Sequence, residues 1–367
     1  MKILFLITGL GVGGAETQVV NLADQFAERG AQVRLVYMTG KAEVLPVHPA
    51  VQVSTLGMQH SVMGMLAGYR ALRRLVKSFR PDVLHSHMVH ANLLARLVRL
   101  SCRLPRLICT AHSNNEGGKL RMLAYRVTDA LADLSTNVSD NAVAAFESNG
   151  AVPKGRMIAV SNGIDTGRFR RDAAIGARLR EQAGIGADTR LILAVGRLAP
   201  AKDYPNLLQA FARIAQDQHK TVLWIVGGGE QLASLQALAN DLKIAHAVSF
   251  LGIRADTEAL YNAADVSVLS SRWEGFGLVV AEAMASERVV VATDCGGVRE
   301  VLGECGLLVP ANSPAQLAEA LQQALALTAQ QSRTLGQQAR QRVLDRYSLQ
   351  RTIETWQKIY QPGATSP

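Results

Sequence analysis

Cysteine is scarce in this sequence and long apolar stretches are absent, and each shortage argues against a class of protein. Only four cysteines occur in 367 residues, with no Cys-x-x-Cys pair and no cluster of histidine with cysteine. This pattern argues against a disulfide framework or a structural zinc site, and it favours reduced thiols in a cytoplasmic protein. No stretch reaches the roughly 18 apolar residues that span a bilayer, so we expect a soluble or peripheral protein.

Basic residues outnumber acidic ones, which suggests an anionic partner. The composition as a whole indicates two globular domains. The chain has 39 Lys and Arg against 30 Asp and Glu, a net charge of +9, while 48% of its residues are hydrophobic. This hydrophobic content excludes an intrinsically disordered chain, and the length suits two domains. Nucleic acid, an acidic membrane surface and phosphorylated ligands are partners that the positive charge would suit.

Short apolar runs alternate with helical patterns, which predicts parallel sheets in doubly wound α/β domains. The candidate strands are Lys2–Thr8, Val33–Tyr37, Val83–Ser86, Arg106–Thr110, Ser135–Val138, Arg190–Val195, Val222–Val226, Ala247–Leu251, Val266–Ser270 and Val289–Thr293. The candidate helices are Ala15–Arg29, Tyr204–Ala215, Ala255–Ala263, Leu278–Ser286 and a pair within Pro314–Gln341. The pattern restarts after Asn162–Gly167, where we place the junction of two Rossmann-like domains that bind ligands at the carboxyl ends of their strands.

The strongest local signal is a glycine-rich turn between a buried strand and a helix, within Ser271–Ala285. The helix begins near Leu278. The backbone N–H groups of Phe276, Gly277 and Leu278 would therefore be free at its N-terminus, which suits a phosphate or a polar sugar.

Two glutamates in this segment, Glu274 and Glu282, are eight residues apart. Glu274 on the turn can bind sugar hydroxyls, and Glu282 in the helix can accept hydrogen bonds from a vicinal diol such as a ribose. The pair resembles the paired-glutamate motif of retaining GT-B glycosyltransferases, specifically glycosyltransferase family 4, and the resemblance covers nearly the whole chain. It implies that Glu274 contacts the donor sugar and that Glu282 holds the nucleotide ribose.

Two cations five residues apart, Arg197 and Lys202, lie between a strand end and a helix start. Cations there oppose the helix dipole, so a ligand is the better reason for their position. Arginine offers bidentate hydrogen bonds and lysine a point charge, which together predict a pyrophosphate clamp. The resemblance implies that both residues neutralise the diphosphate of the donor as it leaves.

The glycine loop Gly9–Glu16 follows the first predicted strand and superficially fits a dinucleotide fingerprint. That fingerprint needs an acidic residue at the end of the second strand, and Val33–Thr39 contains none, so a dehydrogenase is a minor alternative. The resemblance implies that this loop, with Gly13 and Gly14, packs against the phosphate and sugar of the donor and lines the acceptor entrance.

Histidines cluster at positions 85, 87 and 90, and His112 follows a later strand. Asp82 is the nearest carboxylate to the cluster, so we interpret these histidines as polar core or cap residues and reject a metal site. The resemblance implies that His112 contacts the donor sugar near the reacting carbon. No Asp-x-Asp occurs in the sequence, which favours leaving-group stabilisation by cations and helix dipoles without a metal ion or other cofactor.

Basic residues concentrate between positions 65 and 126, where twelve Lys and Arg face only two acids. Within this region Arg70, Arg73, Arg74 and Lys77 form the cationic face of an amphipathic helix. Such a helix suits adsorption to an anionic membrane. Nucleic-acid binding is not expected, because neither interleaved aromatic residues nor a recognisable module is present.

The resemblance implies a GT-B enzyme with two Rossmann-like domains facing across a cleft, residues 1–165 with 347–367 and residues 166–346. It implies retaining transfer of a hexose or N-acetylhexosamine by front-face substitution, with a UDP-sugar as the preferred donor. Segments His85–Leu94 and Ala111–Gly118 resemble bacterial enzymes of surface-polysaccharide and lipopolysaccharide assembly, which favours a lipid-linked or polysaccharide-precursor acceptor at the inner face of the cell membrane. The alternatives are a GT-B sugar-nucleotide epimerase, a GDP-mannose-dependent mannosyltransferase and a non-catalytic nucleotide-sugar-binding regulator.

Overall fold

The computed structural model describes residues 1–59, 61–114, 116–215 and 220–361, which divide into two compact units. Unit 1 is Met1–Gly163 together with the segment that begins at Gln350, and unit 2 is Ile164–Leu349. Asn115, in one of the segments that resemble polysaccharide-assembly enzymes, lies outside the described residues, as do residues 362–367 of the first predicted domain.

Unit 1 contains a seven-stranded sheet in the order β3-β2-β1-β4-β5-β6-β7, in which every neighbouring pair is parallel. Its strands are β1 (Lys2–Ile7), β2 (Gln32–Tyr37), β3 (Gln52–Thr55), β4 (Val83–His87), β5 (Arg106–Thr110), β6 (Leu134–Asn137) and β7 (Met157–Ala159). Its helices are α1 (Gly14–Glu28), α2 (Val62–Phe79), α3 (Val89–Arg99), α4 (Gly118–Thr128) and α5 (Asp140–Ser148). Residues 3–7 of the central strand β1 are fully buried, because helices cover both faces of a parallel sheet.

Unit 2 contains a second parallel sheet of six strands, in the order β10-β9-β8-β11-β12-β13. Its strands are β8 (Arg190–Val195), β9 (Thr221–Val226), β10 (Val248–Phe250), β11 (Val266–Leu269), β12 (Val289–Asp294) and β13 (Leu307–Pro310). Its helices are α6 (Ala173–Gln182), α7 (Tyr204–Ala215), α8 (Leu232–Asp241), α9 (Thr257–Ala263), α10 (Leu278–Ala285), α11 (Val298–Leu302), α12 (Pro314–Ala326) and α13 (Ala329–Arg346). The order places β8 and β11 side by side at the point where the connections reverse, the usual ligand position in such sheets.

Helix α14 (Leu349–Tyr360) follows unit 2 in the chain, and from Gln350 onwards it belongs to unit 1. Tyr360 stacks on Phe26 with ring centroids 5.0 Å apart, and its hydroxyl lies 2.6 Å from Nδ1 of His85. Trp356 packs against the same histidine ring. The helix thus supplies core side chains to a unit whose other elements lie far upstream.

The predicted fold class is confirmed in both units, since each is a parallel sheet with crossover helices. The short strands β3, β7 and β13 are absent from the sequence prediction, and β3 shows why. It is an edge strand in which three of four residues are exposed, so it carries no apolar run. Across the described ranges, no helix is both long enough and apolar enough to cross a bilayer.

Candidate functional site

The carboxyl ends of the central strands of unit 2 bring together the residues predicted to bind the donor. Arg197 and Lys202 follow β8, while Glu274 follows the neighbouring strand β11. We call Arg197, Lys202, Glu274, Phe276–Leu278 and Glu282 the candidate donor site. Parallel strands end at one edge of a sheet, so residues more than seventy positions apart meet there.

Arg197 and Lys202 lie on one turn and have different surroundings. The Arg197 side chain is exposed and makes no hydrogen bond or ion pair with any described residue. Leu198, which follows it, is fully buried and anchors the turn in the core. Lys202 is largely buried and forms an ion pair with Glu274 through its Nζ atom. Only Arg197 is therefore entirely free for an anionic ligand.

Glu274 is held through a single carboxylate oxygen. Its Oε1 atom accepts hydrogen bonds from Lys202 Nζ and from the hydroxyl of Ser271, the latter at 2.7 Å. Its Oε2 atom accepts none from the described residues. A carboxylate fixed on one side with its other oxygen free can accept a hydrogen bond from a ligand hydroxyl in a defined direction.

Helix α10 begins beside Glu274 without a side-chain cap. Gly277 stands at the N-cap with a φ of 91°, which favours glycine because a side chain would be strained there. Phe276 is buried against the edge of Tyr347, with ring centroids 5.4 Å apart. The first backbone N–H groups of the helix, Leu278 included, donate to no side-chain oxygen and stay available to an anion.

Glu282 lies one turn into α10 and contacts α9. The hydroxyl of Tyr261 donates to Glu282 Oε2 at 3.0 Å and also lies 3.2 Å from the carbonyl oxygen of Val279. Burial raises the pKa of Glu282 to about 7, although the Tyr261 hydrogen bond and the charge of Arg168 oppose the rise. Its charge is therefore sensitive to pH near neutrality.

A run of three glycines after β9 is a feature of this edge that the sequence analysis missed. A Cβ atom on Gly227 would lie 2.0 Å from the carbonyl oxygen of Gly196, and one on Gly229 would lie 2.3 Å from that of Leu198. The run lets two backbone turns pack together and supports the turn that carries Arg197. Three successive glycines after an apolar strand were the available signal.

The predicted residues of unit 1 lie at the carboxyl ends of β1 and β5. Gly13 is the N-cap of α1, and Gly14 is its first residue. The backbone N–H of His112 donates to Glu116 Oε1 at 3.1 Å, and its Nε2 lies 3.0 Å from Nδ1 of His87. Burial lowers the pKa of His112 to about 4, so its imidazole is neutral at physiological pH.

The other clustered histidines divide between the core and the surface of unit 1. Nε2 of His85 lies 2.6 Å from the Thr110 hydroxyl, and both His85 and His87 are buried. Burial lowers their pKa values well below the ordinary range. His90 is exposed. Within the described part of the chain, no three His, Cys, Asp or Glu side chains are arranged to hold a metal ion.

The basic face of α2, formed by Arg70, Arg73, Arg74 and Lys77, is exposed except for the partly buried Arg73. Two other arginines between positions 65 and 126 do not contribute free surface charge, contrary to the sequence-based expectation. Arg96 is fully buried and pairs with Asp129 at 3.3 Å. Arg99 forms two hydrogen bonds with Asp133. Their acidic partners lie just beyond position 126, so the sequence window included the cations and missed the carboxylates.

Comparison with known proteins identifies similarity over both units. A family model described as glycosyl transferases group 1 matches residues 177–342, and one described as glycosyltransferase family 4 matches residues 12–168. The putative glycosyltransferase EpsD of Bacillus subtilis is 32% identical over 80% of each chain. The lipopolysaccharide core biosynthesis glycosyltransferase LpsE of Rhizobium meliloti is 25% identical over 91% of this chain and 94% of its own.

A solved structure has a similar fold over almost the whole length. Anabaena HepE in complex with UDP and glucose superposes with a TM-score of 0.86, covering 98% of this chain and 99% of HepE. The two sequences are 22% identical, so this likeness concerns the fold.

Proposed function

Because the chain belongs to the group 1 glycosyltransferases, family 4, and has the GT-B fold, we propose that it transfers a sugar with retention of configuration. The proposed donor is a UDP-sugar carrying a hexose or N-acetylhexosamine. The proposed acceptor is a lipid-linked or polysaccharide-precursor glycan in cell-surface glycan biosynthesis. The observation that carries the proposal is Glu274, held through one oxygen by Lys202 and Ser271 beside the uncapped start of α10.

The diphosphate of the donor would bind between Arg197 and the N-terminus of α10. Arg197 has no partner among the described residues, and its guanidinium can form two parallel hydrogen bonds to a phosphate. The free N–H groups of α10 and the helix dipole add positive potential. These groups would stabilise the negative charge of the leaving diphosphate, and we propose that the reaction needs no metal ion or other cofactor.

The two glutamates would bind the transferred sugar and the ribose of the donor. The free Oε2 of Glu274 would accept a hydrogen bond from a hydroxyl of the transferred sugar, while Lys202 fixes its direction. Glu282, already held by Tyr261, would accept from the ribose diol. His112, a neutral imidazole, would contact the sugar near the reacting carbon, and Gly13 and Gly14 would let the loop before α1 approach the ligand closely.

The proposed chemistry is front-face substitution. The bond between the sugar carbon and the phosphate oxygen breaks while the acceptor oxygen bonds to the same face of that carbon. The acceptor proton moves to the departing phosphate oxygen. This course requires no carboxylate nucleophile, which fits a Glu274 already engaged by Lys202.

Two relatives support the choice of substrates. HepE has been solved with UDP and glucose, which supports a UDP-sugar over GDP-mannose. LpsE acts in lipopolysaccharide core biosynthesis, which supports a surface-glycan acceptor. A peripheral position at the inner face of the membrane is part of the proposal, supported by the basic face of α2 and by exposed apolar residues at the start of the same helix, Val62, Met63 and Met65.

The experiment measures sugar transfer by the full chain from UDP-glucose, UDP-N-acetylglucosamine and GDP-mannose to lipid-linked acceptors, with and without a chelator. We expect an α-linked product from an α-linked UDP-sugar, unaffected by the chelator. Glu274→Gln should lower kcat about 100- to 1,000-fold, the usual cost of one preorganised electrostatic group. Glu319→Gln, an exposed carboxylate of unit 2 on α12, is the matched control and should retain full activity.

Three outcomes would contradict the proposal. A new sugar nucleotide formed from donor alone, detected by NMR, would identify an epimerase. Inversion at the reacting carbon would exclude the front-face course. Full biological activity of Glu274→Gln would favour a nucleotide-sugar-binding regulator that performs no chemistry.

A further inference from the structure

A cavity of about 230 Å³ lies at the amino ends of neighbouring strands in unit 2. Arg190 begins β8, Asp265 precedes β11 and Arg288 precedes β12, while the end of α12 and the start of α13 form the remaining wall. The strands are parallel, so the cavity lies at their amino ends and the candidate donor site lies at the carboxyl ends of the same sheet. A ligand here would not compete with the donor.

Arginines outnumber carboxylates around this cavity. We call it the arginine cavity, because four arginines line it: Arg171, Arg190, Arg288 and Arg333. Two carboxylates also line it, and both are already paired. Asp265 forms ion pairs with Arg190 and with Arg180, which does not line the cavity. Glu287 lies 3.7 Å from Arg171. Among the described residues, no carboxylate pairs with Arg288 or Arg333.

Arg288 is a partly buried cation of this cavity that forms no ion pair with any described residue. Its Nε donates to the carbonyl oxygen of Ser286 at 2.9 Å and its Nη1 to that of Ala264 at 3.1 Å, while Nη2 has no partner in the described ranges. Burial, together with the charge of Arg171, lowers its pKa to about 10, although the charges of Glu287 and Asp265 oppose the change. Holding a partly buried cation without a direct ion pair is costly, and an anion in the cavity would offset that cost.

The start of α13 adds a second source of positive potential. This helix has 18 residues, and Ala329 and Ser332 of its first turn line the cavity. A capping box between Thr328 and Gln331 satisfies two backbone N–H groups and leaves those of the first positions of the helix open. The helix dipole therefore adds to the arginine charges on this wall.

We propose that the arginine cavity binds the phosphate group of a small phosphomonoester. Guanidinium forks and a helix N-terminus suit a doubly charged phosphate better than a single carboxylate. The apolar wall formed by Val266, Val289 and Leu325 would contact a compact organic part. The volume is below the roughly 300–1,000 Å³ of pockets that bind drug-sized ligands, so the ligand is small.

The test is a calorimetric titration of the full chain with glycerol 3-phosphate, with inorganic phosphate and glycerol as further probes. All proteins carry Arg197→Ala and Lys202→Ala, which weaken phosphate binding at the candidate donor site. We expect glycerol 3-phosphate to bind more tightly than inorganic phosphate, and glycerol not to bind. Arg288→Met should weaken glycerol 3-phosphate at least about tenfold through loss of a charge-assisted hydrogen bond.

Arg333→Gln keeps the test decisive if Arg288→Met folds poorly, because Arg333 is exposed and has no partner among the described residues. We expect it to weaken glycerol 3-phosphate about threefold through loss of one charge near the ligand. Arg178→Gln, an exposed arginine of α6 outside the cavity, is the matched control and should change nothing. Equal weakening by Arg333→Gln and Arg178→Gln, or no binding at all, would overturn the proposal. Equal affinity for inorganic phosphate and glycerol 3-phosphate would overturn the assignment to an ester.

Discussion

Glu282 combines a partly buried position with a hydrogen bond from Tyr261, and its pKa of about 7 follows mainly from the desolvation of its carboxylate. The ionised carboxylate is the better acceptor for the two hydroxyls of a ribose. Because the folded-state pKa is raised, ionisation occurs near neutrality instead of near the value of a free glutamate. Donor affinity should therefore depend on pH within the physiological range.

The prediction is that affinity for UDP-glucose rises with pH through about 7. If only the ionised form binds the ribose, affinity should increase about tenfold between about pH 6 and about pH 8. UDP-glucose suits this titration, since its diphosphate diester does not change charge in that range. The dependence is measured by calorimetry in the wild type and in Glu282→Gln, which should bind weakly and independently of pH. A slope that persists in Glu282→Gln would assign the titration to another group.

Sequence patterns identify residues of the candidate donor site only where their signal is local. Arg197 with Lys202, and Glu274 with Glu282, each lie on one short segment beside a predicted strand end. Tyr261, which holds Glu282, belongs to a different helix. Its contact depends on how α9 packs against α10, and no spacing within the sequence encodes that packing.

At the scale of elements, the glycine run after β9 determines how closely two turns can approach. Gly227 has a φ of 141°, and any Cβ atom there would meet the carbonyl oxygen of Gly196. Backbone cannot move aside as a flexible side chain can. The turn that carries Arg197 would have to shift instead.

We predict that Gly227→Ala destabilises unit 2 by at least about 1–3 kcal/mol, the range for overpacked sites, and weakens donor binding. Gly228→Ala is the matched control. A Cβ atom there would lie 3.1 Å from side-chain atoms of Ile253, which can move, so we expect a cost below about 1 kcal/mol. Urea unfolding and UDP-glucose titration measure both effects. Similar losses of stability for the two variants would show that close backbone approach is not the cause.

Element boundaries are predictable where burial gives a continuous apolar run. The predicted Arg106–Thr110 and Arg190–Val195 coincide with β5 and β8, because both strands lie inside their sheets. The edge strand β3 has the sequence Gln-Val-Ser-Thr and pairs with one neighbour only. Its strand conformation comes from that pairing, which its composition does not indicate.

At the scale of the molecule, the net charge of +9 is distributed unevenly. The basic face of α2 lies on a helix whose first turns also expose Val62 and Met63, at 76% and 71%. Helix α4 exposes Leu120, at 84%, together with Leu123 and Val127. Cationic and apolar side chains exposed together are typical of surfaces that adsorb to anionic membranes.

The prediction is that the protein sediments with phosphatidylglycerol vesicles at low salt and not with phosphatidylcholine vesicles. The triple variant Arg70→Gln, Arg74→Gln, Lys77→Gln should bind about a hundredfold more weakly, since each cation near the surface contributes about 1 kcal/mol. The matched control removes three exposed cations of unit 2, with Arg178→Gln, Arg213→Gln and Lys243→Gln. If both triple variants weaken vesicle binding equally, net charge explains the binding and the basic face of α2 has no special role. Absence of vesicle binding by the wild type would exclude the membrane proposal.

Helix α14 gives the two units different histories during synthesis. In the core of unit 1, Trp356 packs against His85 and Tyr360 packs against Phe26. The ribosome adds Trp356 and Tyr360 only after it has made residues 164–349. At about 5–20 residues per second this interval lasts roughly 10–40 s. During that time the surface that will receive the helix is open to water. The unit translated first is therefore the last to be completed.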